Sequence, residues 1–429
     1  MRSLALALAL AAALQAPPRG EPQGKAGAPP AGPAPALDDK TYKHWLDFIR
    51  PSADELKWKA VPWRADFAAA IQEAKALERP ILLWSDQGNP LGMVDMAPSV
   101  NTVVARRQVW SDDEVQKLAA NFLPATAEVW TLATGRGPGP DFFHKAGGPT
   151  AGAMAHGLYC FTPDGEGLGF HFLSRPKEPV VKLLTEALKK WNDLVVRNGY
   201  KPKPVPALKS KETWPERSSK AGLFLVVHAR DLPRGNVARP GRDDAERMWW
   251  NLSFLEFSEK EAEGFVPAGG STATLPEAIF KKLVRRHLGD FSHGNNGGFD
   301  VERALKKGSL TSEVISATES FVTLRLRGDV TLEEGTRGYD PKAHGQQLAI
   351  TGDHRIDQEG LYGFQGTFHG RAVFDTRRKK FVQFELVAAG TRKGLRPKDD
   401  YQPAPMGFAF TIEGQPEKPA PGDKTPGGR

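Results

Sequence analysis

Residues 79–93 read RPILLWSDQGNPLGM, and this stretch decides how the first half of the chain folds. A helical pattern of apolar residues runs up to Arg79-Pro80, where the proline ends it. Residues 81–84 are then continuously apolar, which is typical of a short strand buried on both faces. A polar, glycine-containing loop follows this strand. A helix, a buried strand and a polar loop in this order predict the beginning of an α/β domain.

The alternation of helices and strands continues on both sides of this stretch. Asp66 is a suitable N-cap for the helix before the strand, and Ser111 with Glu114 has the capping-box spacing for a later helix. Asn198-Gly199 ends a long amphipathic helix. The predicted order is helix, strand, helix, strand, helix, strand, strand, helix, which corresponds to a central sheet with helices on both faces. The later elements are a helix face at Val115, Leu118, Ala119 and Phe122, strands at residues 122–130, 158–162 and 167–172, and a helix over residues 180–195.

The order of several motifs in residues 74–165 resembles the thioredoxin-like superfamily, in particular its exported members. The motifs are RPILLW at residues 79–84, VWSDDEV at residues 109–115, NFLP at residues 121–124 and LYCFTPDG at residues 158–165. Each motif alone is loose, and their order along the chain carries the resemblance. The resemblance implies a thioredoxin-like α/β domain over residues 38–200.

The residues that give this superfamily its redox chemistry are replaced in this sequence. Superfamily members hold a Cys-x-x-Cys pair, or one redox cysteine, in the loop after the first central strand. Pro90 and Met93 lie at the two cysteine positions here, and His156 lies at the position of the cis-proline that borders the pair. The single cysteine of the chain, Cys160, falls inside a predicted strand, where a free cysteine is typically a buried apolar residue. We therefore expect no thiol–disulfide oxidoreductase activity.

Polar side chains remain at the degenerate redox site and are candidates for ligand binding. His156 occupies the floor of that site, and the facing loop supplies further polar groups. The candidate residues there are Asp86, Gln87, Asn89 and His156. In the second half of the chain, Trp249-Trp250 opens a predicted strand. Adjacent strand residues point to opposite faces, so one of the two, with Trp249 as the candidate, is available to a sugar, an apolar ligand or the first domain.

The N-terminus has the features of a secretory signal. Arg2 precedes an apolar run over residues 4–14, and the small residue Ala16 follows. This order predicts a signal peptide over residues 1–16 and an exported protein, periplasmic or extracellular. The run is shorter than the roughly 20 apolar residues that a membrane-spanning helix needs. An N-terminal membrane anchor is the alternative, and no later segment is apolar enough to span a membrane.

Composition shifts divide the chain further. Residues 17–37 and 415–429 are rich in Pro, Gly, Ala or charged residues and are predicted to be a disordered spacer and tail. Residues 201–219 contain four prolines among many charges and are predicted to be a linker. Residues 220–414 then form a second domain of the α+β class, with a mainly antiparallel sheet and one helix. Its sheet is indicated by alternating apolar and polar residues at 322–327, 364–374 and 382–386, and its helix by the apolar face of residues 274–288.

Several chemistries are disfavoured by the sequence. The ten histidines form no ligand pair with metal-site spacing, so we expect no metal and no other cofactor. The net charge is +7, and the basic clusters at residues 285–287 and 377–380 are predicted to be a helix C-terminus and a hairpin tip. Neither has the aromatic or groove-reading neighbours of a nucleic-acid site, and export makes nucleic acid an unsuitable partner.

These observations predict an exported, non-redox protein whose thioredoxin-like domain is a binding or scaffold module joined to a β-rich domain. Its partner would be a protein or a small ligand that the sequence does not identify. An enzyme of unknown reaction is the first alternative, with a site near His156 or around Trp249, Asp353, His354 and His369. The second alternative is a carbohydrate- or lipid-binding accessory protein that acts through the β-rich domain.

Overall fold

The computed structural model describes residues 37–150, 155–208, 221–233, 250–289, 291–292, 299–335, 361–393 and 404–412. The predicted signal peptide and tail lie outside the described residues, as do the spacer before Leu37 and linker residues 209–219. Up to residue 208 the elements are α1 (Tyr42–Ile49), a 3₁₀ helix (Asp54–Ala60), α2 (Phe67–Leu77), β1 (Ile81–Asp86), α3 (Val100–Gln108), α4 (Asp113–Ala119), β2 (Leu123–Glu128), α5 (Val129–Thr134), α6 (Pro138–Lys145), β3 (Gly157–Phe161), β4 (Gly167–His171) and α7 (Lys177–Asn198).

The first sheet has four strands in the order β2-β1-β3-β4. β1 pairs in parallel with β2 and antiparallel with β3, and β3 pairs antiparallel with β4. Every residue of β1 is buried, as expected for a central strand covered on both faces. Leu82 and Trp84 belong to the core on the α7 side, while Ile81 and Leu83 belong to the core on the α2 side. The first half of the chain is therefore a mixed α/β region, as predicted.

Two of the three predicted helix caps are confirmed. The Asp66 carboxylate accepts a hydrogen bond from the first turn of α2, and α7 ends at Gly199 with a left-handed φ of 72°. The predicted capping box at Ser111 is wrong, because Asp112 is the N-cap of α4. The Ser111 hydroxyl instead donates to the backbone oxygen of Arg106 at 2.7 Å, which ties α4 to the end of α3.

The second half of the described chain is dominated by one antiparallel sheet. The elements are β5 (Ala221–Asp231), β6 (Trp250–Ser258), α8 (Glu259–Glu263), β7 (Thr272–Thr274), α9 (Glu277–Arg285), α10 (Val301–Ala304), β8 (Leu305–Ala317), β9 (Phe321–Gly335), β10 (Leu361–Asp375), β11 (Lys380–Lys393) and β12 (Ala404–Thr411). The eight strands have the order β6-β5-β12-β11-β10-β9-β8-β7.

The predicted single helix of this region is α9, but in the described residues two short helices, α8 and α10, accompany it. Helix α8 forms because Ser258 and Glu261 make a capping box. Among the described residues, no helix is both long and apolar enough to cross a membrane.

Helix α9 packs on one face of this sheet. Its residues Phe280 and Leu283 share a core with Leu324, Leu326 and Phe368, which alternate along β9 and β10 as predicted. Each such side chain contributes about 1.5–3 kcal/mol by leaving water. This burial explains why the period-two pattern was readable in the sequence. We call this the inner face of the sheet, and the opposite face the outer face.

The outer face carries α1, which precedes the first sheet in the chain. Leu46 and Ile49 of α1 are buried against Val387 and Ala409 of the eight-stranded sheet. A Cβ atom on Gly407 would lie 2.5 Å from the Ile49 side chain, so the glycine permits the close approach of helix and strand. The N-terminal segment is therefore part of the packing of the second sheet.

Candidate functional site

The carboxylate of Asp86 at the end of β1 is fully buried and fully hydrogen-bonded. Its Oδ1 accepts from the backbone amide of Gln87 at 2.7 Å and from the Ser99 hydroxyl at 2.8 Å. Its Oδ2 accepts from the Asn101 amide and the Thr102 hydroxyl, both at 2.8 Å. The donors come from the loop that follows β1 and from the first turn of α3. This predicted ligand-binding carboxylate therefore holds the loop after β1 against α3.

His156 lies beside the same carboxylate, as the sequence led us to expect. Its Nε2 atom is 3.5 Å from Asp86 Oδ1, and 18% of its side chain is exposed. The proximity arises because β3 pairs antiparallel with β1, so the residue before Gly157 meets the end of β1. Asp86, Gln87 and His156 are thus brought together, with the Asp86 carboxylate turned inward.

The loop over residues 87–99 crosses to the second sheet. The Phe254 amide of β6 donates to the Met93 oxygen at 3.1 Å, and the Asp95 amide donates to the Phe254 oxygen at 2.8 Å. Gly92, with φ of 94°, lies so close to β6 that a Cβ atom would be 2.5 Å from the Leu252 side chain. Met93, which the sequence analysis placed at a replaced cysteine position, therefore contacts the second sheet. We call the contact between residues 87–99 and β6 the joint between the two sheets.

Arg106 of α3 is buried at this joint and supports the loop. One of its terminal nitrogens donates to the backbone oxygen of Pro90, and the guanidinium lies 4.7 Å from the ring centre of Trp58 and 5.9 Å from that of Trp250. Burial lowers the pKa of the Arg106 guanidinium to about 9, an effect that the Asp86 carboxylate partly offsets. The side chain is thus a cation at neutral pH, held by aromatic faces and a backbone oxygen.

A chain of three side chains that the sequence analysis did not anticipate lies at the same joint. The Ser253 hydroxyl is 3.0 Å from His287 Nδ1, and His287 Nε2 is 3.2 Å from Asp95 Oδ1. Burial opposes ionisation of Asp95, but the hydrogen bond from His287 and the charges of His287, Arg286 and Lys282 outweigh it and hold the pKa of Asp95 below its usual value. This chain connects the loop to both β6 and the end of α9.

The same three residue types form catalytic triads in hydrolases. Here, however, the serine and the histidine are shielded from solvent. Ser253 is 2% exposed and His287 is 1% exposed. The adjacent cavity, lined by Asp95, Ser253 and Arg286 among others, measures about 10 Å³, which is room for one water molecule. An acyl substrate has no space beside the hydroxyl. The three side chains instead hold the loop over residues 87–99 against β6 and the end of α9.

A larger groove of about 970 Å³ lies at the carboxyl ends of β1 and β2. Two predicted site residues, Asn89 and Met93, line it, and so do the last three residues of β2. Its other lining residues are Arg64, Ala65, Asp66, Phe67, Ala68, Ala69, Glu73, Thr131, Leu132, Arg136, Gly137, Pro138, Gly139, Pro140, Pro206, Ala207 and Leu208. More of these side chains are apolar than polar, which is typical of small-molecule sites.

Cys160 does not line this groove. Cys160 is fully buried in β3, as predicted, and burial raises the pKa of its thiol. Trp249, Asp353 and His354 lie outside the described residues. Within the residues that are described, no three His, Cys, Asp or Glu side chains are placed to hold a metal ion.

Comparisons of the chain with models of known protein families, with curated proteins and with solved structures found no match.

Proposed function

We propose that the chain is an exported, non-redox protein in which a thioredoxin-like domain serves as a binding and scaffold module for the β-rich part. The strand order β2-β1-β3-β4, with one parallel pair and an antiparallel hairpin, supports the thioredoxin-like assignment. The signal-like residues 1–16 support export. Pro90 and Met93 in place of cysteines support the loss of redox chemistry.

The observation that carries the proposal is the pairing of the loop after β1 with β6. Met93 and Asp95 exchange backbone hydrogen bonds with Phe254. In redox-active members of the superfamily this loop must meet a substrate disulfide, whereas here it is engaged within the chain. The scaffold role follows, because the loop and its buried supports join the two sheets.

The binding role is assigned to the groove of about 970 Å³. In open α/β sheets, ligands bind at the carboxyl ends of the parallel strands, and this groove lies at those ends of β1 and β2. Its volume is near the upper limit of small-molecule sites. The prevalence of alanine, proline and leucine in its lining favours a largely apolar small molecule.

Two measurements on the full chain test the proposal. Insulin-disulfide reduction with dithiothreitol should remain at the background rate, and reduction above background would contradict the non-redox assignment. A thermal-shift screen of largely apolar small molecules should find ligands that raise the melting temperature by mass action.

A matched pair of variants then locates the binding site. Ala69 is exposed in the groove, and Ala120 is exposed at the end of α4 away from the groove lining. Ala69→Trp should abolish the ligand-induced shift, while Ala120→Trp should preserve it. A shift that survives in Ala69→Trp would reject the groove, and no shift with any compound would leave only the scaffold role.

A further inference from the structure

Four basic side chains lie together on the outer face of the eight-stranded sheet. Arg325 and Arg327 project from β9, and His369 and Arg371 project from β10. In the strand register, Arg327 is directly opposite His369 and Arg325 is directly opposite Arg371. The apolar residues that alternate with them are in the core on the inner face. We call these four residues the basic cluster.

The basic cluster converges on one carboxylate from the N-terminal segment. Asp39 Oδ2 is 2.5 Å from Arg327 Nη2, and Asp39 Oδ1 is 3.0 Å from His369 Nε2. The same Oδ1 is 3.4 Å from Arg325 Nε and 3.5 Å from Arg371 Nη2. His369 is almost completely buried, with 3% of its side chain exposed. The cluster therefore has a buried polar floor, His369, and holds one anionic group, the Asp39 carboxylate.

One carboxylate does not match the charge of this site. Guanidinium groups directly opposite each other on neighbouring strands repel, as Arg325 and Arg371 do here. Glu313 pairs with Arg325 at 3.2 Å. Glu385 lies opposite Arg371 in the strand register, but its carboxylate pairs with Lys43 at 3.1 Å. In the described part of the chain, the ion pairs of Arg327 and Arg371 are with Asp39 alone, so these two arginines share one carboxylate.

We propose that the basic cluster is a binding site for a tetrahedral dianion of the phosphate or sulfate class, and that Asp39 occupies it as an internal substitute. A dianion carries a second charge and more acceptor oxygens than a carboxylate, and arginine forks suit such groups. Arg327 is 51% and Arg371 is 42% exposed, so the ligand reaches the site from solvent. This proposal is independent of the function proposed for the groove.

Asp39 competes with the external anion because it belongs to the same chain. A tethered group has an effective concentration of about millimolar order, so a free anion binds the native protein weakly. When the anion displaces Asp39, the ion pairs that join residue 39 to β9 and β10 are lost. Helix α1 stays packed on the sheet through Leu46 and Ile49, so anion binding loosens the chain around Asp39 and Lys40.

Isothermal titration calorimetry with inorganic phosphate at low ionic strength tests the proposal on the full chain. Asp39→Asn removes the internal charge and should bind phosphate at least about tenfold more tightly than the native protein, since it removes both competition and repulsion. Asp47→Asn is the matched control, because Asp47 lies on α1 and its ion pair within the described residues is with Lys43, at 3.7 Å. It should bind as the native protein does. Adding Arg327→Gln to Asp39→Asn should abolish the gain.

Parallel titrations with sulfate and with succinate distinguish the anion classes. Sulfate should follow phosphate, and succinate should bind more weakly. Equal affinities for the native protein, Asp39→Asn and Asp47→Asn would overturn the proposal, as would a gain that survives Arg327→Gln. A second readout needs no variant: phosphate should speed tryptic cleavage after the exposed Lys40 severalfold, and unchanged cleavage would contradict displacement of Asp39.

Discussion

The end of β1 and the outer face of the eight-stranded sheet each bind a carboxylate, but in opposite surroundings. Asp86 is fully buried and accepts hydrogen bonds from neutral donors that match its two oxygens. Asp39 is one-third exposed and is shared among several cations. A carboxylate whose donors are matched and buried is a permanent part of the fold, because removing it leaves those donors without partners. A carboxylate shared by excess cations at the surface is exchangeable.

The largest expected effect is the loss of stability when Asp86 is removed. Asp86→Ala leaves two hydroxyls, a side-chain amide and a backbone amide without their buried acceptor. It also removes the negative charge that favours the buried Arg106 cation, and should cost about 3–5 kcal/mol of the free energy of unfolding. Urea unfolding measures the change. Asp39→Ala should cost less than about 1 kcal/mol, the range for exposed pairs.

The neighbour of Asp86 provides the control for this comparison. Ser85 is equally buried, and its hydroxyl has no hydrogen-bond partner among the described residues. Ser85→Ala should therefore leave stability unchanged or slightly raised. Equal losses for Asp86→Ala and Asp39→Ala would remove the distinction between a permanent and an exchangeable carboxylate.

The second prediction concerns the joint that Asp86 supports. Gly92 and Gly137 both have positive φ, but only Gly92 meets another element: a Cβ there would lie 2.5 Å from Leu252, while Gly137 faces open space. Alanine strains the backbone at either position. Gly92→Ala should cost about 1–3 kcal/mol more than Gly137→Ala because of the clash with β6, as measured by urea unfolding. Equal costs would show that the loop does not need its close contact with the second sheet.

The features that could be predicted from the sequence are those that depend on neighbouring residues along the chain. Buried positions are apolar, so burial produces the continuous apolar run of β1 and the alternating pattern of β9 and β10. The proximity of Asp86 and His156 was predicted through a resemblance. Helix α3 was not, because its buried side includes the polar residues Asn101, Thr102 and Arg106, and β-branched valines at its other positions have a low helix propensity.

The polar contacts between the two sheets, and the contacts of Asp39, could not be predicted because they produce no pattern in the local sequence. His287 and Asp95 are 192 residues apart, and Asp39 and His369 are 330 residues apart. Each is a single polar residue in an ordinary context, and only the packing of distant segments brings the partners together. Ser253 could have been noticed as a polar residue inside an apolar strand, since a buried hydroxyl needs a partner.

The smallest expected effect is the acid dependence of the joint. Asp95 has φ of 58°, a left-handed conformation that asparagine also tolerates, so Asp95→Asn changes the charge and preserves the backbone. The pKa of Asp95 is held below its usual value in the folded state. Its contribution is therefore present above the unfolded pKa of about 3.9 and is lost as the pH falls through the folded value. Because 44% of the side chain is exposed, we expect less than about 1 kcal/mol.

Urea unfolding of the native protein and Asp95→Asn across pH 3–7 measures this contribution. The native protein should be the more stable of the two at neutral pH, and the difference should shrink as the solution becomes acidic. A difference that is constant across the whole range would mean that the Asp95 charge does not fasten the loop. The joint would then depend on the backbone pairing with Phe254 and on Arg106, and the contrast between buried matched groups and exposed charges would become sharper.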